Sequence, residues 1–188
     1  ALAPVASSVA ITSSTGIQNY FLNADDTVTA TVTFSEIVNV TGTPQLTLNI
    51  GGTLVKANYV SGSGSSALTF TYTILPGQTD ANGISVNANS LGLNGGTITD
   101  AQGNNATQNF AALADNINYK VDTTTAIAVA DIKDSDEDTS LLTGYVSSND
   151  TNKDGSEKYE VVGSTTGTYG TLTMYDNGTY NYARSAAL

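Results

Sequence analysis

Three residue types are missing from the 188-residue chain: cysteine, histidine and tryptophan. Without cysteine, the protein has no disulfides, no thiolate metal sites and no cysteine nucleophile. Without histidine, it has neither Ser-His-Asp chemistry, nor histidine-ligated zinc or iron, nor the commonest general base near neutral pH. Paired carboxylates remain, but no aromatic, basic or amide residues are grouped with them as in a glycosidase cleft. We therefore expect that the protein is not an enzyme.

Positive charge is also scarce. The chain has six Lys and Arg residues against 17 Asp and Glu, for a net charge of −11. Binding to nucleic acids or anionic membranes depends on Lys and Arg, so both classes of partner are excluded. No apolar run has the length of a transmembrane helix. The N-terminal ALAPVASS lacks the charged and apolar regions of a signal peptide, so we expect a piece from inside a longer chain.

What the chain has in abundance is alternation of apolar and polar residues. Apolar residues alternate with threonine between Thr27 and Ser35, and the same period recurs in Ala67–Leu75 and Gln45–Ile50. A period of two predicts strands with one face on a core and the other in water. Glycine-rich turns such as Gly51-Gly52 separate these segments, and helix-forming residues are scarce. The sequence therefore predicts an all-β fold built from β-sandwiches.

The spacing of strands and turns predicts two modules in tandem. The first covers residues 1–121 and ends in a strand at Asn118–Val121. The second covers residues 122–188 and is denser in acidic residues. Its predicted strands are EKYEVVG, which starts at Glu157, GTLTMYD, which starts at Gly170, and GTYNYA, which starts at Gly178. With about 65 residues the second module is short for a sandwich, so we expect it to be small or incomplete.

The stretch NDTNKDG, Asn149 to Gly155, begins as calcium loops do, with oxygen-bearing side chains at alternate positions and a glycine after them. It is not an EF-hand, because Val161 stands twelfth from Asp150, where a glutamate is required, and the flanks alternate like strands. Two interpretations stay open. Either the loop binds calcium at the end of a β-sandwich, or it is a solvated turn that uses Asp, Asn and Gly for their backbone geometry.

A second acidic cluster precedes this loop, in the stretch DSDED. Carboxylates this close repel one another by about 1 kcal/mol per pair even in water, and a divalent cation would relieve that repulsion. Acidic runs are also common on solvated surfaces. In the first module, the acidic turns around Asp80 and Asp100 are interpreted as plain turns. Asp25 and Asp26, just before a strand, are weaker candidates for a metal site.

The second module resembles the cadherin-like (VCBS-type) repeats of giant bacterial surface proteins. The resemblance rests on EDTSLLTGYVSSNDTNKDG followed by GTYGTLTMYDNGTYNYA: an acidic pair, Glu137-Asp138, then the loop, then a hairpin. Asn152 stands where that family often has Asp, which implies weaker metal binding, and the family's closing strand is absent. The first module resembles bacterial Ig-like repeats, through VTFSEIVNVTGTPQLTLNIGG, ANYVSGSGSSALTFTYTI and ITDAQGNNA.

These resemblances imply a segment of a large, secreted RTX-type adhesin on the bacterial cell surface, active in cell adhesion or biofilm formation beside neighbouring tandem domains. They also imply calcium (Ca²⁺) as the cofactor, which would stiffen the segment and fix the angle between its modules. The predicted calcium ligands carry carboxylate or amide oxygens and are Asp122, Asp134, Asp136, Glu137, Asp138, Asp150, Asn152 and Asp154. Of these, Asp122, Asp134 and Asp136 are predicted to lie at the junction between modules.

Two other functions stay open. Loop tips of a sandwich are common ligand sites, so the chain could be a calcium-dependent module that binds a surface glycan or peptide. In that case Tyr20, Tyr59 and Tyr145 could stack on sugar rings, although a tyrosine that alternates within a strand usually serves packing. Alternatively, an incomplete second module could accept a strand from a partner.

Overall fold

The computed structural model describes residues 2–134, 140–151, 153 and 159–185. These residues form strands, turns and loops and include no helix, which confirms the prediction of an all-β fold. Among them, nothing helical has the length and apolar character needed to cross a bilayer. The chain divides into two compact units, Ala1–Thr124 and Thr125–Leu188, each described by itself below. Their assignment as Ig-like and cadherin-like modules stays a prediction.

The first unit consists of long strands near its N-terminus and short ones later. The strands are β1 (Ala6–Thr15), β2 (Phe21–Leu22), β3 (Thr27–Thr41), β4 (Gln45–Ile50), β5 (Thr53–Ser61), β6 (Ser65–Thr73), β7 (Thr79–Asp80), β8 (Leu91–Gly92), β9 (Thr97–Thr99) and β10 (Lys120–Asp122). The alternating segments recognised in the sequence correspond to β3, β4 and β6. The short strands have too few residues to show a period.

Seven of these strands form one antiparallel sheet. Its order is β1-β3-β6-β5-β4-β8, and β9 pairs with the end of β3. At the centre, Ala30 of β3 lies opposite Phe70 of β6, and Val32 lies opposite Leu68. Because side chains alternate between the faces of a strand, this register puts the apolar residues on one face and the threonines on the other.

A second sheet, of order β2-β10-β7, packs against the apolar face of the first. Leu22 in β2 and Val121 in β10 belong to the same buried hydrophobic cluster as Leu68 and Phe70. The two sheets therefore enclose one core, as in a β-sandwich. Each fully buried leucine or phenylalanine contributes about 1.5 to 3 kcal/mol to the stability of such a core.

Pairings between residues far apart in sequence close the first unit. Strand β10 runs parallel to β2, with Lys120 opposite Phe21. The ammonium group of Lys120 also lies 3.7 Å from the centroid of the Phe21 ring, a cation–π contact. Near the N-terminus, Val5 forms a parallel bridge with Thr107. These pairings connect the start of the first unit to its last strand, β10, and to Thr107.

The second unit contains one four-stranded antiparallel sheet of order β11-β14-β13-β12. Its strands are β11 (Leu141–Tyr145), β12 (Thr166–Gly167), β13 (Gly170–Met174) and β14 (Thr179–Arg184). The predicted hairpin of β13 and β14 is confirmed. The strand predicted from Glu157 is wrong over its described residues, 159–163, which form no strand. Instead, the Tyr159 N–H donates to the Asp176 carbonyl at 3.2 Å.

The apolar face of this second sheet is only half-buried. By register it carries Leu142, Leu172, Met174, Tyr180 and Tyr182. The Tyr180 ring lies over Gly144 of β11, where an added Cβ would be 2.5 Å from the ring's Cζ atom, and Tyr182 covers Gly170 in the same way. Aromatic rings placed over strand glycines shield the backbone there. In the described part of this unit, no hydrophobic side chain is buried.

Candidate functional site

The predicted calcium loop lies in the second unit, and the structure describes part of it. Thr151 pairs with Ile127 through two backbone hydrogen bonds of 3.0 and 3.1 Å. Beside this pair, Asp150 Oδ1 accepts the N–H of Val129 at 2.8 Å. The Tyr159 hydroxyl lies 3.4 Å from Asp150 Oδ2 and donates to it. The Asp150 carboxylate therefore fastens the loop to the segment that opens the unit, a role that the sequence did not indicate.

Ser147, three residues before Asp150, is wholly buried, and its hydroxyl has no hydrogen-bond partner among the described residues. A buried hydroxyl left in this state costs about 1 to 3 kcal/mol. The Ser147 carbonyl accepts the Asp150 N–H at 3.4 Å and also the Lys153 ammonium group. Two oxygens of Ser147 thus lie in the same turn as the Asp150 carboxylate: the carbonyl oxygen is occupied by the Asp150 and Lys153 donors, and the hydroxyl has no hydrogen-bond partner among the described residues. Sequence reasoning did not single out Ser147, because serine is common in turns.

The other predicted calcium ligands are distributed as follows. Five lie outside the described residues: Asp136, Glu137, Asp138, Asn152 and Asp154. Asp134 is described and exposed. Asp122 belongs to the first unit, where its Oδ1 accepts the N–H of Thr124 at 2.8 Å and the Thr124 hydroxyl at 2.6 Å. Over the part of the chain that is described, no three acidic side chains are grouped closely enough to share a metal. The ligand set stays a prediction.

Two buried aspartates in the first unit stabilise its loops. Asp80 accepts the N–H of Gly51 at 2.8 Å and that of Gly83 at 2.9 Å, which joins two turns far apart in sequence. Asp100 accepts backbone N–H groups from Gln102 and Asn104 within its own turn. The Asn104 side-chain amide also donates to Asp100 at 2.6 Å, and this bond is the main reason why the pKa of Asp100 is lowered. Both carboxylates occupy their acceptor positions with the protein's own donors.

Asp25 and Asp26, the weaker metal candidates, also take part in local structure. Asp26 Oδ2 accepts the N–H of Asn23 at 2.7 Å. Its carboxylate fills the space beside Gly16, where an added Cβ would lie 1.7 Å from Asp26 Oδ1. Asp25 has a φ of 72°, the left-handed conformation that Asp tolerates better than most residues. The geometry assigns these aspartates to turn formation.

The three tyrosines considered as sugar contacts differ in exposure. Tyr59 packs edge-to-face on Phe70, with ring centroids 5.9 Å apart, and its hydroxyl accepts the Ser63 N–H at 2.8 Å. Tyr59 therefore serves packing. Tyr20 and Tyr145 keep 58% and 49% of their surface exposed. Tyr20 also has a φ of 69°, a left-handed conformation that no sequence pattern indicated.

No protein-family model matches the chain, and comparisons with curated proteins and with solved structures found no significant match. The resemblance to Ig-like and cadherin-like repeats therefore rests on the sequence phrases alone, and the functional argument rests on the residues themselves.

Proposed function

We propose that the chain is a calcium-stiffened structural and adhesive segment of a large secreted bacterial surface protein. The observation that carries this proposal is the buried Ser147 hydroxyl without a partner, in the same turn as the Asp150 carboxylate. Calcium takes about six to eight oxygen ligands, from carboxylates, carbonyls and water, and the Ser147 hydroxyl is an oxygen beside them that no described residue occupies.

In this proposal Ser147 and Asp150 contribute oxygens to the metal, together with the predicted ligands on either side. Bound calcium would supply positive charge that offsets the repulsion among the clustered carboxylates. Asp150 already holds the segment at Val129 against the loop. Any contact that fixes Asp150 more firmly would therefore also fix the start of the second unit.

The expected gain is large for a unit of this kind. At free calcium about a hundredfold above the dissociation constant, the folded state gains about 2.7 kcal/mol. Extracellular calcium modules typically bind at roughly 10⁻⁴ to 10⁻³ M. Since no described hydrophobic side chain of the second unit is buried, we expect this gain to be a major part of that unit's stability.

Thermal melts in EDTA, in excess calcium and in excess magnesium test the proposal. We expect calcium alone to raise the melting temperature of the second unit by several degrees. The informative variant is Asp150→Asn, which keeps an oxygen to accept the Val129 N–H but removes the negative charge. Asp176→Asn is the matched control, because Asp176 is an exposed aspartate of the same unit outside the predicted loops.

The calcium-dependent rise should persist in Asp176→Asn and be largely lost in Asp150→Asn. The proposal is wrong if calcium and magnesium change the melting temperature equally, or if both variants keep the full calcium-dependent rise in melting temperature. In either case NDTNKDG is a solvated turn, and calcium does not stiffen the segment.

A further inference from the structure

The turn Gln18–Phe21 in the first unit is a tight hairpin with an unusual residue at its tip. The N–H of Gln18 donates to the Phe21 carbonyl at 2.9 Å, and the N–H of Phe21 donates to the Gln18 carbonyl at 2.7 Å. The two residues between them, Asn19 and Tyr20, have φ of 48° and 69°. Positive φ at both positions is the type I′ hairpin turn, whose preferred sequence is Asn-Gly. Here tyrosine stands where glycine fits best.

Packing does not account for this tyrosine. A bulky residue at positive φ is a conformational outlier, and such strain concentrates at ligand-binding positions. More than half of the tyrosine stays in solvent, since Tyr20 is 58% exposed. Its backbone carbonyl accepts the Lys120 N–H at 2.9 Å, a bond that glycine would make equally well. The turn thus tolerates strain in order to present a ring to solvent.

Two other loops of the first unit lie at the same end of the small sheet as Tyr20. Because β2 and β10 are parallel, the turn before β10 lies at the same end of the small sheet as Tyr20. That turn, closed by the Tyr119 N–H on the Asn116 carbonyl at 2.8 Å, exposes Ile117 and Asn118. β7 is antiparallel to β10, so the residues after Asp80 reach this end too.

Amide groups at this end are held in place. The Asn82 amide donates to the Asp115 carboxylate, and the Asn116 side chain accepts the Asn118 N–H at 3.1 Å. The next residue, Phe21, has the Lys120 ammonium over its ring. The exposed Tyr20 therefore lies at the same end of the small sheet as amide and carboxylate side chains that are held by hydrogen bonds.

We propose that Tyr20 is the stacking platform of a binding site for a neutral saccharide at this end of the first unit. A sugar ring offers an apolar C–H face to an aromatic ring and hydroxyls to amides and carboxylates, and tyrosine provides a rigid, amphipathic contact. The net charge of −11 repels acidic polysaccharides and phosphorylated ligands. A peptide would be bound mainly through backbone hydrogen bonds along a strand, whereas this site offers a ring and side-chain amides.

The test is an array of neutral oligosaccharides of glucose, galactose, mannose and N-acetylglucosamine, probed in EDTA. Tyr20→Gly removes the ring and relieves the strained backbone, so it should bind about tenfold or more weakly while melting at the same temperature or up to about 4 °C higher. Tyr20→Phe should keep most of the binding. Tyr169→Ala, which removes a 78% exposed tyrosine from the second unit, is the matched control and should bind as the wild type does.

Three results would each overturn the proposal: no saccharide bound by the wild type, undiminished binding by Tyr20→Gly, or a Tyr20→Gly variant that melts well below the wild type. The last would show that the ring serves packing. Because EDTA is present throughout, this site and the proposed calcium loop can fail independently.

Discussion

The two units of the chain have the same alternation of apolar and polar residues in their strands, but they bury the apolar residues to different extents. In the first unit, the inward residues of β3 and β6 are enclosed between two sheets, and Val28, Val32 and Leu68 have no exposed surface. In the second, the apolar residues of β13 and β14 are only partly buried. Alternation therefore determines which face of a strand is apolar, while burial depends on whether a second layer covers that face.

The second unit has a different means of protecting its apolar face. Tyr180 and Tyr182 lie over Gly144 and Gly170, so part of each ring is shielded by backbone and part of the backbone by the ring. Such contacts stabilise a sheet less than a closed core does. We therefore expect the first unit to be the more stable, and three sets of substitutions test what stabilises each unit.

The largest effect is expected from the same leucine truncation made in each unit. Leu68→Ala removes a wholly buried side chain of the first unit and should cost about 2 to 5 kcal/mol. Leu172→Ala removes a half-buried one of the second unit and should cost about 1 kcal/mol. Urea unfolding followed by amide NMR signals from each unit measures both losses. Similar losses at the two positions would mean that the second unit also has a closed core.

A smaller effect is expected from alanine at glycines that lie against a neighbour. At Gly51, with φ of 54°, an added Cβ would be 2.0 Å from the Thr79 carbonyl oxygen, which is backbone and cannot move aside. We expect Gly51→Ala to cost about 2 to 3 kcal/mol. At Gly144 the obstacle is the Tyr180 ring, which can rotate into solvent, so Gly144→Ala should cost about 1 kcal/mol or less.

Gly52→Ala is the control for this pair. Gly52 has φ of 88° and no atom within 4 Å of an added Cβ, so only the backbone conformation is penalised, by about 1 kcal/mol. If Gly51→Ala melts at the same temperature as Gly52→Ala or higher, the Gly51 turn can move away from Thr79.

The smallest effect is expected on the stability of the first unit at low pH. The pKa of Asp100 is lowered, chiefly by the Asn104 amide, so the folded state holds this carboxylate charged more firmly than the unfolded state does. The stability that results is present above the unfolded pKa of about 3.9 and is lost as the pH falls through the lowered folded value. Asp100→Asn should therefore flatten the acid side of the first unit's stability profile. An acid limb for Asp100→Asn that is as steep as that of the wild type would contradict this role.

The sequence predicted the long strands better than the short ones. The segment at Thr27–Ser35 was recognised because its alternation spans many residues, but β3 runs on to Thr41 after a register shift between Thr33 and Val38. A β-bulge of this kind interrupts the period, so alternation could not indicate the continuation. Strand β10 overlaps the strand predicted at Asn118–Val121, but its pairing with β2, in which Lys120 lies opposite Phe21, is one that local sequence does not encode.

The candidate sites show the same limit. The spacing in NDTNKDG made Asp150 a predicted calcium ligand, and that prediction stands, but its bond to Val129 and its neighbour Ser147 follow from the tertiary structure. EKYEVVG was predicted to form a strand, which is wrong for the described residues, because the Tyr159 N–H bonds to a turn and not to a neighbouring strand. Tyr20 was recognised in the sequence only as an aromatic residue that could stack on a sugar ring. Its left-handed backbone conformation was not predicted, because the turn contains no glycine that would have indicated it.

The parallel pairing of β10 with β2 also has a consequence for how fast the first unit can fold. The small sheet brings together residues from opposite ends of the unit, and so does the bridge between Val5 and Thr107. Contacts between distant residues require a large loop to close first, which places folding on the order of milliseconds to seconds rather than microseconds. The unit therefore cannot complete its sandwich until its last strand has been made, and its hydrophobic face stays open to other chains until then.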